Sequence, residues 1–148
     1  AGALAEFLSQ ARAGDYIALQ AFVQPEAGTS DALQALRLKL SDEYRLATSF
    51  GYGPRFLHST GQLHKGDGGN GLFIQITADD PRDAQIPEAA VEASDPQPGS
   101  SISFGVLIAA QAMGDRKALE EAGRRVLRLH VLSGVDEALR KLSEAFGE

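Results

Sequence analysis

The 148-residue sequence contains no cysteine and a single methionine, Met113. Without cysteine the chain has neither disulfides nor thiol chemistry, and its composition is compatible with a reducing cytosol. It also lacks any apolar run near the roughly 20 residues that a membrane helix needs, and its start shows no signal-peptide pattern. Positive charge is scarce: 14 Lys and Arg face 20 Asp and Glu, a net charge of −6. That balance argues against nucleic-acid or anionic-membrane binding through the whole surface, while leaving room for a local cationic pocket around a small anion. The chain opens Ala1-Gly2-Ala3-Leu4. With its only methionine at 113, the expectation is a processed chain or a piece cut from a longer polypeptide.

What is present is ordinary for a globular protein, with 43% apolar and 23% charged residues. The length suits one domain, or a large part of one, burying about two-thirds of its unfolded surface. Leu4, Phe7, Leu8 and Ala11 recur at helical spacing, predicting a short helix over 3–12 with Gly14 as its stop. Residues 16–23 are almost continuously apolar, as in a strand covered on both faces. Ser30 and Asp31 predict a cap for a helix whose buried face carries Leu33, Leu36, Leu40 and Tyr44. Residues 46–50 and 71–77 read as strands, the latter with Leu72, Ile74 and Ile76 on one face and Phe73 and Gln75 on the other.

Residues 79–101 are rich in proline and acids and have no sustained period, so they read as a long surface loop. A helix is expected over 103–113 with a stripe of Phe104, Leu107, Ile108 and Gln111. A second short helix follows, capped by Asp115 and stopped by Gly123. Residues 125–131 read as a strand with Arg128 and His130 on its polar face. The run from Ser133 to Asp136 reads as a capping box for a last helix burying Val135, Leu139, Leu142 and Phe146. This alternation predicts a three-layer α/β fold with a mostly parallel sheet.

The densest chemistry lies between Gly51 and Gly71: two of the three histidines, Arg55, Lys65, Ser59, Thr60 and seven glycines within 21 residues. Gly51, Gly53 and Gly61 permit φ > 0 and close backbone approach, so a loop here can turn N–H groups and hydroxyls toward an oxygen-rich ligand. Arg55 suits bidentate contact with phosphate or carboxylate, and Lys65 supplies a movable charge. His58 and His64 titrate near neutrality and can carry protons between sugar oxygens. A small anionic metabolite such as a phosphorylated sugar fits this set. Structural histidines in a surface loop are the competing reading. The glycines match neither GxGxxG nor GxxxxGK[ST]. A zinc site lacks a third ligand, and a Ser59–His58–Asp67 triad lacks a nucleophile elbow.

The run GYGPRFLHSTGQLHKG at 51–66 resembles phosphoglucose isomerases of the kind fused to transaldolase in bifunctional bacterial proteins. The likeness extends to residues 14–18, 71–80, 103–107, 109–115 and 123–130, most of the chain. The resemblance implies a sugar isomerase (SIS) domain of flavodoxin-like fold spanning 1–148, the C-terminal portion of a larger enzyme. It also implies interconversion of glucose 6-phosphate and fructose 6-phosphate by ring opening and cis-enediol proton transfer, without metal or organic cofactor. Such an enzyme belongs to glycolysis and gluconeogenesis, in the cytoplasm, as a homodimer joined to the remainder of the isomerase and to a transaldolase domain.

By position, Ser59-Thr60-Gly61-Gln62 resembles the TNGQ segment that precedes the family's ring-opening histidine. Here Leu63 intervenes, so the resemblance assigns that role to His64, with His58 in reserve and Lys65 as a positive partner. Arg55, Ser59, Thr60, Gly61 and Gln62 are the expected substrate contacts. The family's phosphate-gripping Ser/Thr loop belongs to its other domain. No glutamate occupies 15–18, where the base is sought, and 66–70 departs from the usual GGPN-like run. The alternative is a non-catalytic module that binds a sugar phosphate or a second subunit.

Overall fold

A computed structural model of the chain describes residues 2–79, 82–87 and 102–146. The nine elements are α1 (Gly2–Leu8), β1 (Tyr16–Phe22), α2 (Ala27–Tyr44), β2 (Ala47–Tyr52), α3 (Thr60–Gly66), β3 (Gly71–Ala78), α4 (Phe104–Glu121), β4 (Arg125–Val131) and α5 (Val135–Glu144). All four strands are parallel, in the order β2-β1-β3-β4. The inner pair, β1 and β3, carries the continuous apolar runs because both of its faces are covered. The fold is a three-layer, flavodoxin-like α/β domain.

One face holds the main core. Ile17, Leu19 and Ala21 of β1 and Leu72, Ile74 and Ile76 of β3 meet Leu4 and Leu8 of α1, Leu33, Leu36 and Leu40 of α2, and Leu139 of α5. The opposite face, under α3 and α4, is built differently. Two small apolar clusters, Ala18–Phe73–Leu119 and Phe22–Phe56–Ala112, lie along it. The strand pairing places the polar Gln20 and Gln75 side by side on this face, in a row that runs Gly51–Gln20–Gln75–Arg128 across the sheet.

Several boundaries differ from the sequence reading. Helix α1 ends at Leu8, and Gly14, with φ +89°, turns the chain into β1 instead of stopping the helix. Helix α2 starts at Ala27, directly after the extended Glu26, so Ser30 lies inside it and shares a 2.9 Å hydrogen bond with the Tyr52 hydroxyl. Strand β2 runs on through Tyr52 because Gly51 and Tyr52 continue the pairing with Gln20 and Ala21.

The two helices expected around Asp115 are one, α4, capped by Ser103, whose hydroxyl accepts from the Val106 N–H. Its buried residues are Ala112, Asp115 and Leu119, while Phe104 and Leu107 of the expected stripe stand 46% and 40% exposed. Helix α5 begins after a left-handed Gly134 with no side-chain cap. Asp136 and Glu137 in its first turn pair instead with Arg140 and Lys141 one turn on. Of the long acidic loop, 80–81 and 88–101 lie outside the described residues. Within the rest, Gln85 forms an antiparallel bridge to Ser103. No helix among the described residues is long and apolar enough to cross a membrane.

Candidate functional site

The segment 51–71 is not an open loop. After β2 it makes a turn over 53–59, folds into α3 and enters β3. Gly51, Gly53 and Gly61 all have ordinary negative φ; the positive-φ glycines among the described residues are Gly14, Gly69, Gly123 and Gly134. What the first three provide is room. A Cβ on Gly53 would lie 2.4 Å from the Phe22 ring, and one on Gly61 would lie 3.0 Å from the Phe56 carbonyl oxygen. The N–H groups expected to face a ligand are used within the turn: those of Ser59 and Gly61 donate to the Phe56 carbonyl, and that of Gln62 to the Ser59 carbonyl.

Helix α3 divides the expected site residues. His58, Ser59, Thr60 and Gln62 are exposed, whereas Gly61 and His64 are buried. His64 lies under the helix, its ring centroid 4.9 Å from that of Phe73, 6.1 Å from Phe56 and 6.3 Å from Tyr16. Gln20 Nε2 approaches His64 Nδ1 at 3.2 Å. An amide nitrogen only donates, so Nδ1 accepts and the neutral ring carries its hydrogen on Nε2. Burial pushes the His64 pKa down; Lys65 also lowers it, against opposing pulls from Asp115 and Asp67. Lys65 is not a free charge: its Nζ lies 2.5 Å from Asp115 Oδ1.

His64, Gln20, Gln75, Lys65 and Asp115 thus form a polar layer between the sheet and helices α3 and α4, with Gln75 Nε2 donating to the Ala112 carbonyl at 2.9 Å. Four buried oxygens, on Gln20, Gln75, Gln111 and Asp115, have no hydrogen-bond partner among the described residues. The end of α3 is fastened by Arg124, which donates to the carbonyls of His64, Lys65 and Asp67 and pairs with the Asp67 carboxylate at 2.9 Å. Tyr16 completes this corner by donating to Asp67 at 2.5 Å. Its phenol pKa is raised by burial and by that bond.

A crevice of about 840 Å³ opens at the carboxyl ends of the strands. There the connections from β1 and β3 diverge to opposite faces, the place where ligands sit in open α/β sheets. Phe22, Gly53, Arg55, Thr77, Arg128 and His130 all line it. Of the expected site residues only Arg55 reaches this crevice; His58, His64 and Lys65 do not line it. Arg128 and His130, read from the sequence as a strand's polar face, do. Thr77 Oγ1 lies 2.9 Å from His130 Nδ1 and accepts from Arg128 Nε at 3.2 Å, while His130 Nε2 meets Asp79 Oδ1 at 3.2 Å. The signals for these additions were modest: alternation in β4, and glutamines in the middle of two apolar strands.

No family model matches the chain, and no curated protein matches it. Among solved structures, the crystal structure of a hypothetical protein, TT0462 from Thermus thermophilus, is similar with a TM-score of 0.74 at 22% sequence identity. The likeness covers 97% of this chain and 38% of that one, so this chain spans well under half the length of its structural neighbour. It establishes the fold.

Proposed function

We propose that the chain is a sugar isomerase (SIS) domain, the C-terminal portion of a cytoplasmic glucose-6-phosphate isomerase of the kind joined to transaldolase. The observation that carries this reading is the course of residues 51–66. The segment whose wording resembles the family leaves β2 at the crevice, sets Arg55 in its wall, and ends in the helix that bears His64 and Lys65. In this reading Arg55 contacts the sugar phosphate, His64 opens the ring once the remainder of the enzyme completes the site, and Lys65 supplies positive charge. Exposed Phe104, Val106, Leu107 and Met113 on α4 give that remainder an apolar surface to cover.

A coupled assay converting fructose 6-phosphate to glucose 6-phosphate tests the proposal. The parent polypeptide should turn over substrate, lose most activity on His64→Ala, and show little turnover when reduced to these 148 residues. A parent without isomerase activity overturns the reading. Robust turnover by the short chain overturns its incompleteness. A second reading, a sugar-phosphate-binding module without catalysis, draws support from the burial of His64 and the pairing of Lys65 with Asp115. Saturable binding of fructose 6-phosphate by the parent without turnover is the outcome that selects it.

A further inference from the structure

We propose that Thr77, His130 and Asp79 form a nucleophile–base–carboxylate triad at the floor of the crevice, where they hydrolyse esters of small apolar acids. That activity is separate from sugar-phosphate isomerisation and draws on no residue of the 51–66 segment.

The sheet itself holds the triad. Phe22, Thr77 and His130 stand side by side on β1, β3 and β4, so strand register sets the distance between hydroxyl and imidazole. Thr77 Oγ1 lies 2.9 Å from His130 Nδ1, and His130 Nε2 lies 3.2 Å from Asp79 Oδ1. A carboxylate only accepts, so Nε2 carries the hydrogen of that contact and Nδ1 of the neutral ring accepts. Arg128 Nε donates to Thr77 Oγ1 at 3.2 Å, and a guanidinium accepts nothing, so the hydroxyl hydrogen goes to His130. Donation thus runs from hydroxyl to imidazole to carboxylate, the arrangement that activates an alcohol as a nucleophile. The two ring nitrogens are exchanged relative to the serine-protease triad, which an imidazole permits because either nitrogen can accept while the other donates. Asp79 has no lysine or arginine partner among the described residues, so its charge is left to stabilise the imidazolium that forms when the proton arrives.

The surroundings select the substrate. Thr77 lines the crevice and is 6% exposed, so what meets its hydroxyl arrives through the crevice. Phe22, Val23, Val106, Ile108, Ala109 and Ala112 line the same space, an apolar wall suited to a short acyl chain. The reaction balances with water as its one co-reactant. Thr77 Oγ1 bonds to the acyl carbon while its proton passes to His130 Nδ1. Arg128 lines the crevice with terminal nitrogens that have no partner among the described residues, and these supply donors to the developing oxyanion. The bond from the acyl carbon to the alcohol oxygen then breaks, and the alcohol leaves with the proton from His130. Water, giving a proton to His130, attacks the acyl-threonine; the acid departs and the proton returns to Thr77.

Hydrolysis of p-nitrophenyl acetate and p-nitrophenyl butyrate by the chain, followed by absorbance and by peptide mass mapping after a rapid acid quench, tests the assignment. The expected result is a burst of p-nitrophenol, turnover above that of an equal concentration of free histidine, and an acyl group on Thr77. Thr77→Val keeps the side-chain volume and should lose turnover by about a hundredfold or more, as should His130→Gln. Thr77→Ser should hydrolyse at least as fast as the unsubstituted chain, a dependence on the hydroxyl that a packing role does not give. Asp79→Asn should lower kcat and leave KM unchanged. Ser9→Ala, in the pocket at the amino ends of the strands, should leave the rate unchanged. The acylated residue is read on the unsubstituted chain, so it decides the matter even where a variant fails to fold. Turnover no faster than free histidine overturns the proposal, as does full rate in Thr77→Val or acylation confined to other residues.

Discussion

Lys65 on α3 and Asp115 on α4 are joined by a 2.5 Å ion pair in which the carboxylate side chain is 1% exposed and the lysine 26%. The pair ties the short helix to the long one, and its two halves are unequally dispensable. Removing the carboxylate leaves an ammonium on a flexible stem that reaches solvent. Removing the lysine strands a carboxylate whose second oxygen already has no partner among the described residues. Lys65→Met should therefore cost about 3–5 kcal/mol of stability, the penalty for an uncompensated buried charge. Asp115→Asn should cost about 1–2 kcal/mol, near that of one hydrogen bond. Urea unfolding of the two variants checks the order, and equal costs would show that the pair is not buried in solution.

The glycines of the central segment divide in the same measurable way. Gly53 faces Phe22, itself 3% exposed and packed edge-to-face on Phe56 at 5.6 Å, so a Cβ there has nowhere to go. Gly53→Ala should destabilise by about 1–3 kcal/mol through overpacking. Gly66, the last residue of α3, meets nothing within 4 Å. Gly66→Ala should stabilise by about 0.5–1 kcal/mol through the reduced freedom of the unfolded chain. Thermal melts of both variants read the signs directly, and a gain at Gly53 would contradict the packing described for the crevice floor.

The sheet was legible because burial on both faces of β1 and β3 forces near-continuous apolar runs, and because Leu33, Leu36 and Leu40 repeat at helical spacing over the core that Leu139 of α5 also joins. The α4 stripe was not legible. The helix packs over a face broken by Gln20 and Gln75, so its buried residues are Ala112, Asp115 and Leu119 instead of the larger Phe104 and Leu107. Asp115 reads as a cap because Asp favours helix starts; the fold instead buries it in mid-helix, where it pairs with Lys65, 50 residues away. Arg55 in the crevice could be anticipated from its loop. Arg128 and His130 could not, since their place depends on which strand end the crevice occupies, a property of strand order. Helix α3 escaped notice because a seven-residue stretch with a glycine near each end carries a weak helical signal, and its end is fixed by Arg124 from the far part of the chain.

His64 makes stability depend on pH in a direction that burial dictates. In the unfolded chain its imidazole takes a proton near its ordinary pKa of about 6.5. In the fold, loss of solvent under α3 is the largest cause holding its pKa below that value, and Lys65 adds to it against the opposing pull of Asp115 and Asp67. Between the two pKa values the unfolded state binds more protons than the folded one, so stability rises with pH across that window. The contribution is fully present above about pH 6.5 and is lost progressively as the pH falls toward the folded value. His64→Gln retains an amide able to bond Gln20 and has no group to titrate, so it should show a shallower loss of stability between about pH 7 and about pH 5. The other two histidines, His58 and His130, are present in both proteins and cancel in the comparison. Urea midpoints measured across that range should show the two curves converging on the acid side. Parallel curves, or an unsubstituted chain that gains stability relative to the variant on acidification, would mean that His64 is solvated in the fold.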